Sequence, residues 1–358
     1  MAIFLDSHIS GSSTASGSFG HIEIQSEDNI GEKSAIFHNR FYIRGSDLNP
    51  SLTGGYNSLD GNTIIGFEAG NQHVTNQPQT GFSNTLLGHY AGTSLTSGDS
   101  NTFLGAAAGL GGGVTGDNNT AVGSFSGYNL TSGGSNIFIG QTAGLNMRSG
   151  SSNVAVGTSA FYDSHGASQN TVVGQAAGQF LTTGTGQVHI GYKAGYANKT
   201  GTGAIAIGYE AMGGTPGTQE GHGIAIGFRA MFEVTDGSSG VAIGNSALNY
   251  LVGGYSLAVG DEAGRYASGS FNTFVGFSSG KGGTTSEPYS SGQYNTALGY
   301  TALYSFTTGG NNIAIGYTSL YNVTTGDGNV AIGTNTGDNI ATSNENTIIG
   351  YRAAESYD

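Results

Sequence analysis

A pentapeptide recurs along most of the chain at nearly even spacing. It reads NTALG at 295–299, and NIAIG, NVAIG and NTIIG follow at successive intervals of 17 residues. There are seventeen copies, and ten of the sixteen intervals between them are 17 residues; the others are 22, 18, 19, 16, 16 and 23. A fixed period near 20 residues is typical of a solenoid, in which each unit contacts only its neighbours along the axis. The glycines that end the motif are Gly66, Gly88, Gly105, Gly123, Gly140, Gly157, Gly174, Gly191, Gly208, Gly227, Gly244, Gly260, Gly276, Gly299, Gly316, Gly333 and Gly350.

Glycine is unusually abundant, because the 358 residues include 66 glycines and only four prolines. Compositions this rich in glycine are collagenous, disordered or built from repeats. Collagen needs glycine at every third position together with abundant proline, and the sequence has neither. Disordered chains combine low hydrophobicity with high net charge, whereas 36% of these residues are hydrophobic and recur in a fixed order. Composition therefore favours a folded repeat protein.

The pentapeptide has the alternation of a short strand. The residue before each motif glycine is Ile, Val or Leu, and the residue two positions earlier is Thr, Ile, Val or Leu. Period-two alternation of this kind predicts a β-strand. The residue between them is usually alanine and sometimes bulky, as at Phe103 and Phe138. Both faces of the strand are thus apolar. One face can fill the coil, and we expect a partner chain to cover the other, which we take to be the Ala/Phe flank.

The rest of each repeat predicts turns and a second strand. The third residue after the glycine is small in every copy, which indicates a tight corner. Seven residues after the glycine an apolar residue often returns, as at Leu95 and Leu130, and we interpret this as a second short strand. Asparagine opens twelve of the seventeen motifs and can bond to the next copy in a ladder, which lapses between Gln187 and Ser256. No helix fits in such a coil.

These patterns predict an all-β parallel β-solenoid of about 17 coils with a modal repeat of 17 residues. At about 4.8 Å per coil the rod is on the order of 80 Å long. We divide the chain into an N-terminal cap or attachment domain, 1–60, and a repeat domain, 61–358. The first domain is expected to be small and β-rich, with strands at His21–Gln25 and Ala35–Gly45.

The motif N-[TIV]-x-[ILV]-G-x-x-A resembles the head repeat of trimeric autotransporter adhesins (YadA-like heads), and related repeats occur in bacteriophage tail fibres and other virion proteins. The resemblance covers roughly residues 61–354. It implies a left-handed β-roll and a homotrimer. The modal repeat is longer than that of the family, which predicts longer outer turns. A self-anchored adhesin needs a signal peptide, a heptad stalk and a membrane anchor, and none is visible in this sequence.

Charge and motif content argue against several function classes. The net charge of −13 disfavours nucleic acid and anionic membrane as partners. No basic segment precedes an apolar core at the N-terminus, and no apolar run approaches 18 residues, so we expect no membrane insertion. The stretch GFSSG at 276–280 matches a nucleophile-elbow pattern, but that motif needs a strand-to-helix turn. We predict no enzyme activity, no catalytic residue, no metal and no cofactor.

Three sets of residues are candidates for binding. The three longest intervals each contain a proline, and we assign these loops as candidate receptor contacts: Pro78, Pro216 and Pro288. Aromatic residues directly after the motif glycine fall on successive coils and are candidates for glycan stacking or for stabilising the rod: Tyr192, Tyr209, Phe228, Tyr300 and Tyr317. His189 takes the central strand position, where three copies in a trimer could approach each other around a metal or an anion.

The sequence thus predicts a structural, non-enzymatic, homotrimeric fibre or appendage of a bacteriophage-like particle that also contacts the host surface through a glycan or protein. The alternative is a trimeric adhesin head at the cell surface. A glycan depolymerase needs clustered carboxylates, and the 23 in this chain are dispersed. Neighbouring virion proteins are expected at the N-terminal domain and at the C-terminal coil, which only ESYD follows. That end either abuts another protein or is blunted by Glu355 and Asp358.

Overall fold

The computed structural model describes residues 32–37, 41–46, 62–70, 81–196, 198–214, 222–233, 239–250, 253–286, 289–338 and 340–355. These residues form an all-β parallel solenoid with a repeat of about 17 residues, and they contain no helix. The strands are β1 Glu32–Phe37, β2 Phe41–Ser46, β3 Thr63–Ile65, β4 Thr85–Leu87, β5 Thr102–Leu104, β6 Thr120–Val122, β7 Ile137–Ile139, β8 Val154–Val156, β9 Thr171–Val173, β10 Val188–Ile190, β11 Ile205–Ile207, β12 Ile224–Ile226, β13 Val241–Ile243, β14 Leu257–Val259, β15 Thr273–Val275, β16 Thr296–Leu298, β17 Ile313–Ile315, β18 Val330–Ile332 and β19 Thr347–Ile349.

One sheet contains all the described strands. From β3 to β19 each strand pairs in parallel with the next, and equivalent motif positions lie opposite each other throughout. β1 and β2 form an antiparallel pair, and β2 also pairs antiparallel with β3, with Ile43 opposite Ile65. The predicted strand Ala35–Gly45 is therefore divided between β1 and β2, and His21–Gln25 lies outside the described residues.

Within the described residues β19 pairs only with β18, while Glu355 pairs with Arg352. Asp358 lies outside them.

The central residue of each strand fills the coil. Ala121, Phe138, Ala155 and Phe274 are fully buried, whereas the residues on either side of them are partly or largely exposed. The expectation that a partner covers the Ala/Phe flank is therefore wrong, because that flank is the interior of the coil. The Thr, Ile, Val and Leu side chains point outward instead.

The predicted second strand is also wrong. The apolar residue seven positions after the motif glycine is buried in most described coils and partly buried at Ile340, but its backbone forms only isolated bridges, such as that between Leu95 and Val114. Threonine side chains join this corner to the next coil: the hydroxyl of Thr131 donates to the carbonyl of Arg148 at 2.8 Å. Leu251, one of the apolar residues in this register, lies outside the described residues. Each described coil thus has one strand and several turns.

The motif glycines form a column in which successive backbones nearly touch. All seventeen have φ between 127° and 142°, a region that residues with a Cβ avoid. A Cβ on any of them except Gly350 would lie inside the contact distance of the carbonyl oxygen of the next motif glycine. The glycine is therefore required by the stacking of the coils as well as by its backbone conformation.

The predicted asparagine ladder is present. The backbone N–H of Asn119 donates to Oδ1 of Asn101 at 2.8 Å, and Nδ2 of Asn119 donates to the carbonyl of Gly133 at 2.9 Å. The same bonds recur from Asn136 to Asn170, where the side chains are buried. Since a buried amide without partners is costly, this ladder favours one register of stacking over all others.

Most coils place one large residue at one or the other of two interior positions. Where the central strand residue is Phe, the residue six positions later is glycine, as for Phe138 and Gly144; where it is alanine, a large residue usually takes that position, as for Ala297 and Leu303. A Cβ on Gly144 would lie 2.6 Å from Cδ1 of Phe138. The position has φ between 46° and 69° in all seventeen repeats, so the exchange occurs on one backbone conformation.

This exchange predicts the outcome of a double substitution. Gly144→Leu alone should destabilise the protein by several kcal/mol, since the new side chain meets Phe138, and Phe138→Ala alone should cost about 3–5 kcal/mol through the cavity that it leaves. The double variant reproduces the pair Ala297 and Leu303, and we expect it to recover most of the loss. Urea unfolding of all four proteins measures the coupling; additive losses would contradict the exchange.

Candidate functional site

The outward face of the sheet is one continuous aliphatic surface. It comprises the first and third residues of strands β3–β19, and we call it the aliphatic face. All of these residues are Thr, Ile, Val or Leu, so the face carries no charge. Leu104 and Ile139 are each 40% exposed, and Leu298 is 47% exposed. An apolar surface that runs along the whole stack exceeds the isolated patches normal on monomeric proteins and indicates an interaction site.

The first group of predicted aromatic residues stacks along the rod. Tyr192, Tyr209 and Phe228, which we call exit row 1, follow the motif glycine on three successive coils. Their ring centroids are 5.0 Å and 5.2 Å apart, with planes inclined by 24° and 10°. Lys193 lies 5.5 Å from the Tyr192 ring centroid, and Nε of Arg229 is 2.7 Å from a carboxylate oxygen of Glu210.

The second group repeats this geometry further along. Tyr300 stacks on both Phe277 and Tyr317 with centroids 5.2 Å apart and planes inclined by 11° and 7°, and we call these three residues exit row 2. In both rows most ring faces are covered by the neighbouring ring. A sugar could therefore reach ring edges and the ends of a row, but hardly the faces within it. Glycan binding here stays a prediction.

A third aromatic row was missed at the sequence level. Tyr255, Phe271 and Tyr294, which we call the entry row, immediately precede the position that asparagine usually opens. Their rings stack with centroids 5.5 Å and 5.1 Å apart and planes inclined by 5° and 3°. Three successive aromatic residues in one register were the available signal.

Pro78, Pro216 and Pro288, the prolines of the candidate receptor loops, lie outside the described residues. Tyr289, the residue after Pro288 in the third loop, is described and stacks on Tyr250 with ring centroids 4.5 Å apart. The prediction that these loops contact a receptor stays a prediction.

Ser278 in the GFSSG stretch lies in a small ionic cluster. Its hydroxyl is 3.4 Å from Oε2 of Glu262, whose other contacts are Lys281 Nζ at 2.7 Å and the guanidinium of Arg265. Partial burial tends to raise the pKa of Glu262, but Lys281 and Arg265 together outweigh it and lower that pKa. Burial likewise opposes the charge of Lys281, and Glu262 and Tyr304 outweigh it and raise the pKa of Lys281.

The cluster therefore contains a protonated lysine and a weakly basic carboxylate, and neither is suited to take a proton from the Ser278 hydroxyl. Ser278 is buried. Like every residue at this position of the repeat it has a positive φ, which is 48° for Ser278. A structural role in the corner accounts for it. The prediction that the chain is not an enzyme stays a prediction.

His189 lies inside its own coil. It is fully buried at the centre of β10, beside Val172 and Ala206 on the adjacent strands, and neither ring nitrogen has a hydrogen-bond partner. A Cβ on Gly195 would clash with its ring, so the pair follows the rule seen for Phe138 and Gly144. Of the two readings of His189, a packed imidazole agrees with the structure, because the ring is enclosed by its own coil and not placed to meet other copies around a metal or an anion.

No group of three or more His, Asp or Glu side chains suited to a metal ion occurs among the described residues. Within the same residues no helix is long and apolar enough to cross a membrane. No family model, curated protein or solved structure matches the chain.

Burial of His189 predicts a specific loss of stability in acid. Desolvation lowers the pKa of His189 from 6.5 to about 4 in the folded state. Below pH 6.5 the His189 imidazole therefore binds a proton in the unfolded chain but not in the folded chain, so the free energy of unfolding falls as the pH falls toward 4. Between pH 7 and pH 5 this residue should account for a loss of about 2 kcal/mol in the free energy of unfolding.

His189→Phe is the matched variant, since phenylalanine opposite glycine occurs naturally at Phe138 and Gly144. Urea unfolding at pH 7 and pH 5 should show a smaller acid loss for the variant than for the wild type. Equal losses in the two proteins would contradict a neutral, buried imidazole.

Proposed function

We propose that the protein is a structural, non-enzymatic fibre or appendage of a bacteriophage-like particle, built from three copies of this chain as left-handed β-rolls. The aliphatic face carries the proposal. A rod whose sheet exposes an uncharged aliphatic surface along its length is incomplete as a monomer, and parallel copies of the same rod present a surface of matching length and chemistry.

Magnitudes support a self-association of this kind. Burying a Leu or Ile side chain fully is worth about 1.5–3 kcal/mol, so the exposed 40% of each is worth about 1 kcal/mol. Ten Leu and Ile side chains of the aliphatic face are more than a third exposed. Covering them contributes on the order of 10 kcal/mol per chain, which is comparable to the 4–15 kcal/mol that association costs in lost freedom.

The number of copies and the particle come from the resemblance of the motif to YadA-like head repeats and their relatives in phage fibres. A rigid rod with backbone bonding along its length can hold loops away from a particle. The loops of Pro78, Pro216 and Pro288 are the candidate contacts with a host glycan or protein. Neighbouring virion proteins would bind the N-terminal region and the last coil.

The second candidate function is a trimeric adhesin head at the cell surface. The same aliphatic face supports it, because both functions require the same rod. Only the location and the partner at the ends differ between them.

Assembly through the aliphatic face predicts the mass in solution. Light scattering on the wild-type chain should give three times the 36.1 kDa chain mass. Ile139→Lys places a charge on the face and should yield a monomer that keeps the β-sheet circular dichroism signal. The control is Ser132→Lys, an exposed position in the far turn, which should remain trimeric. A wild-type mass of one chain would exclude the proposed assembly.

The location of the protein separates the two candidate functions. Mass spectrometry of purified particles from the source culture should find the chain at a constant ratio to the other particle proteins. Release of the chain by mild protease treatment of intact, particle-free cells would instead favour the adhesin head.

A further inference from the structure

We infer that the entry row of one copy packs against exit row 2 of the neighbouring copy, and that these aromatic residues form a clamp between the three chains. The inference rests on the trimer proposed above and names the residues that hold it together. The occupant of this surface is thus a second copy of the same chain.

The two rows lie at opposite ends of two shared strands, β15 and β16. Phe271 and Phe277 each stand two residues from the ends of β15, and Tyr294 and Tyr300 do the same at β16. Side chains alternate between the interior and the exterior along this stretch, and all four rings are exposed. The rows therefore border the aliphatic face on both sides at β15 and β16, whereas Tyr255 at β14 and Tyr317 at β17 have no ring at the other end of their strand.

The entry row places aromatic side chains at a position whose backbone is left-handed in other coils too, as at Ser135 (φ 59°), so the conformation belongs to the repeat and the aromatic residues are what is specific to these three coils. Tyr255, Phe271 and Tyr294 have φ between 59° and 62°. A bulky side chain in this left-handed region is an outlier, and such strain costs of the order of 1–3 kcal/mol and often marks functional sites. At the equivalent position most other coils carry glycine, serine or asparagine. Stacking within the row offsets part of the cost, and contact with another chain would offset more.

The exposed area fits an interface between copies. The six rings of the entry row and exit row 2 are between 45% and 66% exposed. Aromatic side chains bury about 150–250 Å² when fully covered, so the rows still expose on the order of 600 Å². Each interface uses the entry row of one chain and exit row 2 of the next, so the rings contribute on the order of 300 Å² per partner and the aliphatic face between the rows supplies the rest of the roughly 800 Å² typical of a standard interface.

Symmetry explains why two different rows are needed. In a closed ring of parallel copies every contact is heterologous, so one edge of a chain meets the other edge of its neighbour. Because both rows have a ring at β15 and at β16, rotation about an axis along the rod brings ring against ring at these two coils without any shift. Exit row 1 has no stacked row opposite it: Gly203 takes the entry position on the coil of Tyr209, and His222 takes it on the coil of Phe228.

Tyr300→Ala and Tyr209→Ala form a matched test. Both tyrosines follow a motif glycine, stack on a ring on either side and are almost equally exposed, 48% and 46%. Their removal should change the stability of a single chain equally. We expect Tyr300→Ala to weaken the trimer by on the order of tenfold or more per contact, as truncation of an interface tyrosine does, and Tyr209→Ala to weaken it far less. Light scattering across a dilution and guanidinium series measures the dissociation.

A double substitution identifies the partner of Tyr300. Tyr294 and Tyr300 stand at opposite ends of β16, so any coupling between their alanine variants must pass through a neighbouring copy. The effect of Tyr294→Ala plus Tyr300→Ala on dissociation should be smaller than the product of the single effects. Multiplicative effects, or equal weakening by Tyr209→Ala and Tyr300→Ala, would overturn the clamp and leave the trimer standing. A monomeric wild type would overturn both.

Discussion

The close approach of one coil to the next is the constraint on which the structure depends. The motif glycines stack so tightly that a Cβ on any of the first sixteen would collide with the carbonyl of the following coil. The asparagine amides bond across the same gap, for example from Asn119 to Asn101. Together these features fix the register, and a fixed register places every equivalent side chain in a column. The aliphatic face and the three aromatic rows are consequences of that register.

The interior of the coil is small, and in most coils a single large side chain occupies one or the other of two positions in it. The pair Phe138 and Gly144 and the pair Ala297 and Leu303 fill the equivalent space of their coils in alternative ways. His189 opposite Gly195 is a polar version of the first solution, and its unpartnered ring is held neutral by burial. Because each coil solves this problem locally, the outward residues are free to vary without disturbing the stack. Outward side chains can therefore serve a function while the packing of the interior is kept.

The outside differs along the rod in ways that bear on the proposed assembly. Exit row 1 borders the aliphatic face on one side, whereas the entry row and exit row 2 border it on both. Only the latter arrangement offers rings to both neighbours in a closed assembly. The ionic cluster of Glu262, Arg265 and Lys281 stabilises a corner of the same coils and provides no base for the nearby serine.

The sequence alone determined the solenoid, its 17-residue period and the asparagine ladder, because a repeat pattern specifies contacts between equivalent positions. It could not decide which face of the strand fills the coil: alanine suits a narrow interior and a close interface equally well. The tertiary structure placed Ala/Phe inside and Thr, Ile, Val and Leu outside, and it enclosed His189. It also replaced the expected second strand at Leu95 with turns, since side-chain burial at that corner needs no continuous backbone ladder. These outcomes depend on the space within the coil, which only the folded chain defines.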